Sequence, residues 1–405
     1  MSATRKTADQ TLVRELNTSL VLEALRTRGP LSRASLSSVL GLNRSTVSSV
    51  INDLLEDTLV REIGLESSTG GRPGMLLDLN PNGGCAVGVE IGVDFISVIL
   101  TDFTAEILWR EHVESDPDEG REIILQRSEG LVQEALDIGE KRTMPHMGIG
   151  VGLPGLVDVQ QGKLVFAPNL KWRDLPLRAM WEDRFTLPVF VENEANAAAL
   201  GEHYFGIAQD VQNLIYLSAG VGLGGGIIIN GELFRGSSGY AGEIGHMTVD
   251  PRGPLCGCGK RGCWETLVGP RAIVRRVRER VENDDEILSR LAGGASSLVD
   301  VNGVVEAAQN GNEAARTALE EVGEQLGIGI ANLVNAFNPE LVVLGGALSL
   351  ASDFLMPSIE RMVEMHMLSQ PGEVVEIASS AHGADACVMG AVALVLDDIL
   401  RQPTL

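Results

Sequence analysis

The sequence predicts an α/β protein in two parts: an amino-terminal winged helix-turn-helix over residues 1–80, then a two-lobed body in which sheets are flanked by helices. Three observations lead there. Capped helical stripes fill residues 11–57 and are followed by two strand-like runs around a Gly/Arg/Pro loop. Two successive strand and helix series begin near residues 85 and 211. The charge divides at the same place: residues 1–75 carry nine Lys/Arg against eight Asp/Glu, a net of +1, whereas the remainder carries −24. So acidic a body repels nucleic acid and anionic lipid, which leaves the amino-terminal segment as the part able to approach a polyanion.

Size and composition set the frame. A chain of 405 residues, 44 % hydrophobic and 21 % charged, has room for two to four domains and excludes wholesale disorder. No apolar run reaches the roughly 18 residues of a membrane helix. Met1-Ser2-Ala3-Thr4-Arg5-Lys6 lacks the apolar stretch of a signal peptide, so a cytoplasmic chain with no membrane partner is expected. Five cysteines, three of them in one short loop, point to metal or redox chemistry rather than disulfides.

Leu12, Leu16, Leu20 and Leu25, with Val13 and Val21 beside them, form a helical stripe from Thr11 to Arg28, ended by Gly29-Pro30. Ser32 is the N-cap of a second helix over 33–40. Gly41-Leu42 makes a tight turn, and Asn43 caps a third helix from Arg44 to about Asp57, with Val47, Val50, Ile51, Leu54 and Leu55 inward. Helix, short turn, helix is the helix-turn-helix arrangement. The outward face of the third helix (Arg44, Ser45, Thr46, Ser48, Ser49, Asn52), with Arg33 from the second, offers hydroxyls and guanidinium groups to phosphates and base edges of an operator duplex. Leu59–Ile63 and Met75–Leu79 read as a hairpin wing, and Arg72 in Gly70-Gly71-Arg72-Pro73-Gly74 suits a narrow minor groove. The plainer reading is a helical protein-interaction domain with a solvated serine face; the wing and the charge division favour DNA.

Pro81-Asn82-Gly83-Gly84 marks the junction to the body. Strands are expected at Cys85–Gly92, Phe95–Asp102 and Ala105–His112, a helix at 119–140, a strand at Met147–Gly155 and a helix at 175–186. They form a first lobe over 81–195, to which a carboxy-terminal helix, 385–401, returns. A second lobe over 196–384 has strands at Asn213–Ser218 and Gly225–Asn230, helices at 269–281, 302–310 and 313–336, and a buried strand at Leu341–Leu344. Two such lobes imply a cleft between them, where small-molecule sites lie.

Four segments carry chemistry. His246, Cys256, Cys258 and Cys263 supply an imidazole and three thiolates from a Gly/Pro-rich loop, the closed tetrahedral set of structural zinc; a reactive thiol cluster is the alternative. Cys85 and Cys387 sit in apolar segments and read as packing residues. Asn193 and Glu194 stand where a strand gives way to a helix, an amide and a carboxylate suited to vicinal hydroxyls, or else a plain acidic helix start. Glu243 and Glu265 bracket the cysteine loop. Fixed by a metal, both can accept hydrogen bonds from a polyol, and His246 can bind metal with one ring nitrogen and ligand with the other. Taken singly, each glutamate is equally a surface acid. The glycine-rich turns Ser218–Gly226 and Gly345-Gly346 would let backbone approach a phosphate, which alone is weak evidence.

Together, Gly-Glu-Ile-Gly-His246 with Cys-Gly-Cys-Gly-Lys-Arg-Gly-Cys-Trp-Glu265, and Glu-Asn-Glu-Ala-Asn-Ala-Ala-Ala-Leu-Gly-Glu202, resemble the zinc and sugar signatures of the ROK family (repressors, open reading frames and kinases). The likeness runs over essentially the whole chain. It implies an actin-like, ribonuclease-H-like fold of two lobes with a structural zinc loop, a glucose-like sugar in the cleft, and a homodimer or homotetramer. The amino-terminal segment and its Gly-Arg-Pro wing look like the transcriptional-repressor branch, which includes the xylose repressors; the sugar kinases lack that segment.

Two departures from the kinase pattern point the same way. Where the kinases carry Asp-x-Gly-Gly-Thr to cradle ATP, this chain has Glu90-Ile-Gly92-Val93-Asp94. An acid at Asp94 beside a phosphate about 4 Å away costs about 4 kcal/mol at an effective dielectric near 20, so no nucleotide is expected. The kinases' catalytic Asp is Glu194 here, and a base displaced by about an ångström can lose about 10²-fold in rate. The sequence therefore implies a non-enzymatic, sugar-responsive regulator, a repressor of carbohydrate genes, with sugar held by Asn193, Glu194, Glu243, His246 and Glu265. The rivals are an active sugar kinase with an accessory DNA-binding segment and a repressor controlled by a protein partner.

Overall fold

The computed structural model describes residues 10–66, 73–280, 298–368 and 375–401. Helices α1 (Gln10–Arg28), α2 (Arg33–Leu40) and α3 (Arg44–Glu56) begin and end where their capping residues dictate. The Ser32 hydroxyl accepts from the Ser35 N–H (3.2 Å), the Asn43 side chain accepts from the Thr46 N–H (2.8 Å), and Gly41 ends α2 at φ +66°. Strands β1 (Leu31–Ser32), β2 (Val60–Leu65) and β3 (Met75–Leu79) form an antiparallel sheet in the order β1-β3-β2. Two-residue β1 is too short to leave a pattern in the sequence.

The first three leucines of the α1 stripe, Leu12, Leu16 and Leu20, lie outside the core. Leu16 and Leu20 are 56 % and 46 % exposed, whereas Val21, Leu22 and Leu25 are buried. The first turns of α1 run past the edge of a small core, so only its last turns are covered.

The first lobe comprises β4 (Cys85–Ile91), β5 (Phe95–Asp102), β6 (Ile107–Glu114), α4 (Arg121–Lys141), β7 (His146–Leu153), the short β8 (Leu156–Asp158), β9 (Lys163–Ala167) and β10 (Trp172–Leu175), then α5 (Leu177–Phe185) and β11 (Val189–Asn193). Its sheet runs β11-β7-β4-β5-β6, with β8 to β10 as a separate small sheet that the sequence reading missed. The second lobe follows α6 (Glu194–Phe205): β12 (Leu214–Ala219), β13 (Leu223–Ile229), β14 (Glu232–Leu233), α7 (Glu265–Val268), α8 (Pro270–Arg280), α9 (Leu298–Gln309), α10 (Glu313–Phe337), β15 (Leu341–Gly346), α11 (Ala347–Leu350), α12 (Ser352–His366) and β16 (Glu376–Ser379). Its sheet runs β14-β13-β12-β15-β16. Counted from its own first strand, each sheet has the same order: an antiparallel meander of three, with the fourth and fifth strands added parallel on the other side of the first. This is the two-lobed arrangement that the resemblance implied.

The chain ends in α13 (Ala386–Arg401), which lies across β4 and β7 and beside α6. β4 is buried along its whole length because α4 covers one face and α13 the other, which is why its sequence is nearly all apolar. The contact is backbone to backbone. A Cβ on Gly150 would stand 1.8 Å from the Ala391 carbonyl oxygen, and one on Gly390 would stand 1.6 Å from that of Ala197. Among the described residues no helix is long and apolar enough to cross a membrane.

The amino-terminal segment has no core of its own. Val21, Leu22, Leu36, Val47, Ile51 and Leu77 belong to one continuous cluster with Ala86 and Ile99 of the first sheet and Val388, Val392, Leu396 and Ile399 of α13. The junction is pinned as well: Asn80 Nδ2 donates to the Thr58 carbonyl (2.7 Å) and Phe103 N to that of Pro81 (3.3 Å). Sequence reasoning took Pro81–Gly84 for a border because glycine and proline punctuate there, a signal blind to side chains that meet across the break.

Candidate functional site

The four expected metal donors come together. His246, Cys256, Cys258 and Cys263 offer ligand atoms that all lie within 4.8 Å of one another, with His246 Nδ1 3.7 Å from Cys256 Sγ and Cys258 Sγ 3.6 Å from Cys263 Sγ. Bonds of about 2.3 Å to a tetrahedral ion put sulfurs about 3.8 Å apart, so the donor set and its spacing fit zinc. The loop is built for this. Gly262, at φ +67°, leaves no room for a Cβ, which would meet the Asp250 carbonyl oxygen at 1.5 Å. Trp264, fully buried, anchors the end of the loop by donating Nε1–H to the Gln325 carbonyl (3.0 Å).

The same loop carries three of the five expected sugar residues. Gly245 lets the turn at 242–246 lie against β13, since a Cβ there would be 2.0 Å from the Leu223 carbonyl oxygen. That turn places Glu243 Oε2 3.8 Å from His246 Nε2, while Glu265 Oε1 lies 3.6 Å from Nδ1. The imidazole thus has its two nitrogens on two sides, Nδ1 toward the thiols and Nε2 toward Glu243. Glu265 also accepts from the Cys256 thiol (2.8 Å).

Asn193 and Glu194 meet this loop from the other lobe. Asn193 is largely spent on structure: Oδ1 caps α6 by accepting from Ala195 N (2.9 Å), and Nδ2 donates to the Gly155 carbonyl (3.0 Å), leaving one N–H. Glu194 has its carboxyl pushed up to about 7, first by burial and then by the Glu243 carboxylate. Burial, with Glu265 nearby, raises Glu243 too, against the pull of His246.

Sequence reasoning missed Glu192 and read Glu90 only as part of a departure from the kinase hairpin. Glu192, 1 % exposed, accepts from Arg235 Nε (2.9 Å), Asn193 N (2.9 Å) and Asn196 Nδ2 (3.1 Å), so a second-lobe arginine is locked to the last turn of β11. Glu90, 7 % exposed, shares a hydrogen bond with the Cys387 thiol, and its Oε2 has no partner; burial, then Glu194, drives its carboxyl well above the usual range. Neither has a local signature, because each is defined by residues far away in the chain.

The hairpin and the glycines require correction. Asp94 is exposed, so its charge is screened by solvent and the cost assigned to it in the sequence reading is too large; the acid held inside is Glu90. Gly92 is covered by the Phe95 ring, 2.5 Å from where its Cβ would be. Gly224 and Gly226 are strand residues that make way for Ala195 and Ala199 of α6, and Gly345 makes way for Tyr216. Their absent side chains serve packing.

On α3, Arg44, Ser45 and Ser49 are exposed, and Thr46 and Ser48 half-buried. Arg33 is engaged within the segment, donating to the Ser48 carbonyl (3.1 Å) and Asn52 Oδ1 (3.0 Å). Arg72 lies outside the described residues.

A sequence model of the ROK family matches residues 86–398. The xylose repressor of Caldicellulosiruptor bescii is 35 % identical over 98 % of this chain and 99 % of its own. Among solved structures, a ROK family transcriptional regulator homologous to the E. coli MLC protein superposes with a TM-score of 0.79 at 28 % identity, covering 96 % of this chain and 97 % of that one. A ROK glucokinase from Streptomyces griseus, in complex with glucose and AMPPNP, gives a TM-score of 0.66 at 34 % identity over 77 % of this chain and 99 % of its own. On the duplicated sheet order, the gathered donors and a family match over most of its length, the chain belongs to the ROK family.

Proposed function

We infer that the protein is a sugar-responsive, DNA-binding transcriptional regulator of the xylose-repressor type. The observation that carries the reading is α6. It starts at Glu194, capped by Asn193, beside the Glu243–Glu265 loop, and its last turn carries Tyr204, whose carbonyl accepts from Arg26 Nη1 of α1 (2.8 Å). One rigid helix therefore joins the sugar residues to the amino-terminal segment. Through Gly201 and Gly390 it is pressed against α13, which shares its core with that segment.

On this reading α1 to α3 with the β2–β3 hairpin act as a winged helix-turn-helix over residues 1–80. Arg44, Ser45, Thr46, Ser48 and Ser49 face the major groove, Arg72 enters the minor groove, and Arg33 steadies α3. The lobes 81–195 and 196–384 close on a sugar held by Asn193, Glu194, Glu243, His246 and Glu265. Zinc on His246, Cys256, Cys258 and Cys263 fixes the loop that bears the last three. A homodimer or homotetramer presents two such segments to two half-sites. Sugar favours one arrangement of the lobes and operator DNA the other.

Linkage supplies the test. Operator DNA must weaken sugar affinity by the same factor by which sugar weakens operator affinity. Sugar titrations with and without operator that return equal affinities reject the reading, and ATP-dependent phosphorylation of a sugar by the purified protein would replace it with a kinase.

A further inference from the structure

We propose that Arg235 and Glu192 form a latch between the two lobes, a pair of positioning residues whose contact holds the arrangement in which sugar binds. The effect on sugar rests on the reading of the cleft as a sugar site. Neither residue belongs to the five that hold the sugar there.

Glu192 lies near the end of β11 in the first lobe, and Arg235 follows β14 in the second. The carboxylate is divided between them. Oε1 serves the junction of β11 and α6, accepting from Asn193 N (2.9 Å) and Asn196 Nδ2 (3.1 Å). Oε2 serves the other lobe, with Nε and Nη2 of Arg235 both at 2.9 Å. Among the described residues Glu192 pairs with no other cation and Arg235 with no other acid. Asn196, itself buried, has an Oδ1 without a partner, so its amide is held through Nδ2 by Glu192.

A carboxylate buried this deeply needs a counter-charge, and here it comes from a different lobe. Any movement that parts β11 from the segment after β14 strips Oε2 of both donors at once, so the pair resists opening. It also ties down both walls of the cleft. The Asn193 N–H is fixed to Oε1 on one side. On the other, the Arg235 carbonyl accepts from Ala241 N (3.0 Å) and closes the turn that leads into residues 242–246, with Gly236 at φ +68° allowing the bend. Loosening the latch lowers the population of the binding arrangement, and apparent affinity falls by the same fraction.

The experiment has two readouts on the full-length protein, for the parent, Arg235→Lys, Arg235→Gln, Glu192→Gln and the double variant Arg235→Gln/Glu192→Gln. Hydrogen exchange without ligand reads the latch itself: residues 190–197 and 235–242 should exchange at least about 10-fold faster in Arg235→Gln, while β4 keeps its parental rate. Calorimetric titration with D-xylose, D-glucose and N-acetylglucosamine reads its consequence. Arg235→Gln should weaken whichever sugar the parent binds by about 10–100-fold, the worth of a charge-assisted contact. Arg235→Lys should recover part of this, since an ammonium keeps the charge but lacks the planar fork, and it serves for the test if the Gln variant does not fold. The double variant should bind no worse than the weaker single one, because the two residues act as a unit. Parental exchange rates in Arg235→Gln, parental affinity, or losses that simply add in the double variant overturn the latch and leave the sugar site standing. A parent that binds none of the three sugars counts instead against the sugar reading, and the exchange rates then decide the latch alone.

Discussion

The guanidinium of Arg26 lies 4.6 Å from the centroid of the Tyr204 ring while donating to the Tyr204 carbonyl at 2.8 Å, so the last turn of α1 is fastened to the last turn of α6. Glu23 holds the same guanidinium from below (2.7 Å), and the Tyr204 hydroxyl is bonded to Asp397 of α13. Three helices meet at this point, one from the amino-terminal segment and two from the body.

Arg26→Ala should uncouple them. The substitution removes a cation–π contact and a charge-assisted hydrogen bond, and the expected loss is about 1–3 kcal/mol of stability. Sugar affinity should stay as it is, while the ratio of operator affinities with and without sugar falls toward one. Fluorescence anisotropy on labelled operator measures that ratio; one equal to the parent's means the signal travels elsewhere.

Stability should fall as pH rises through the range set by Glu194. Its carboxyl titrates near 7 in the folded protein against 4.5 ordinarily, so the folded state holds the proton more tightly than the unfolded chain does. That contribution is intact below about 4.5, declines between about 4.5 and 7, and is flat above. Glu194→Gln, which copies the protonated carboxyl, should therefore melt higher than the parent at pH 8 with a much smaller difference at pH 5. Melting curves showing the same gap at both values would assign the shift to another group.

Two glycines on helices should respond in opposite senses. Gly390→Ala drives a methyl into the Ala197 carbonyl oxygen, forcing α6 from α13, and should cost at least about 3 kcal/mol in urea unfolding. Gly130→Ala, on the exposed side of α4 with nothing within 4 Å, should gain about 0.5–1 kcal/mol. A Gly390→Ala protein of parental stability would show that the two helices are not in backbone contact.

If the loop binds zinc as proposed, Cys258→Ser should cost it the metal. Zinc content, measured by mass spectrometry of the purified protein, should drop well below one per chain, and sugar affinity should weaken about 10–100-fold as Glu243 and Glu265 lose their fixed positions. Operator affinity without sugar should hold. Full zinc occupancy in this variant would remove Cys258 from the donor set.

Local chemistry was legible in the sequence and distant company was not. Ser32, Gly41 and Asn43 announced α2 and α3 to within a residue because capping is decided by neighbours a few positions away. The spacing of His246 and the three cysteines announced a gathered loop for the same reason. The glycines of β13 invited a phosphate reading, yet they are small because α6 lies on them, which no window of sequence reveals. Leu16 and Leu20 looked like core because periodicity reports a face without reporting how far the covering element extends. Glu192 went unread, and Glu90 was read without its burial, for want of their partners, Arg235 and Cys387, 43 and almost 300 positions later.

The continuous core that runs from α1 into α13 bears on how such regulators can be recombined. An amino-terminal segment whose apolar underside is tailored to one particular terminal helix is no interchangeable cassette. Grafting it onto another body, or cutting it away at residue 80, would strip Val388, Val392 and Leu396 bare on one piece and Val21, Leu22 and Leu25 on the other. Both fragments would tend to clump, and a working chimera would have to borrow the carboxy terminus together with the amino terminus.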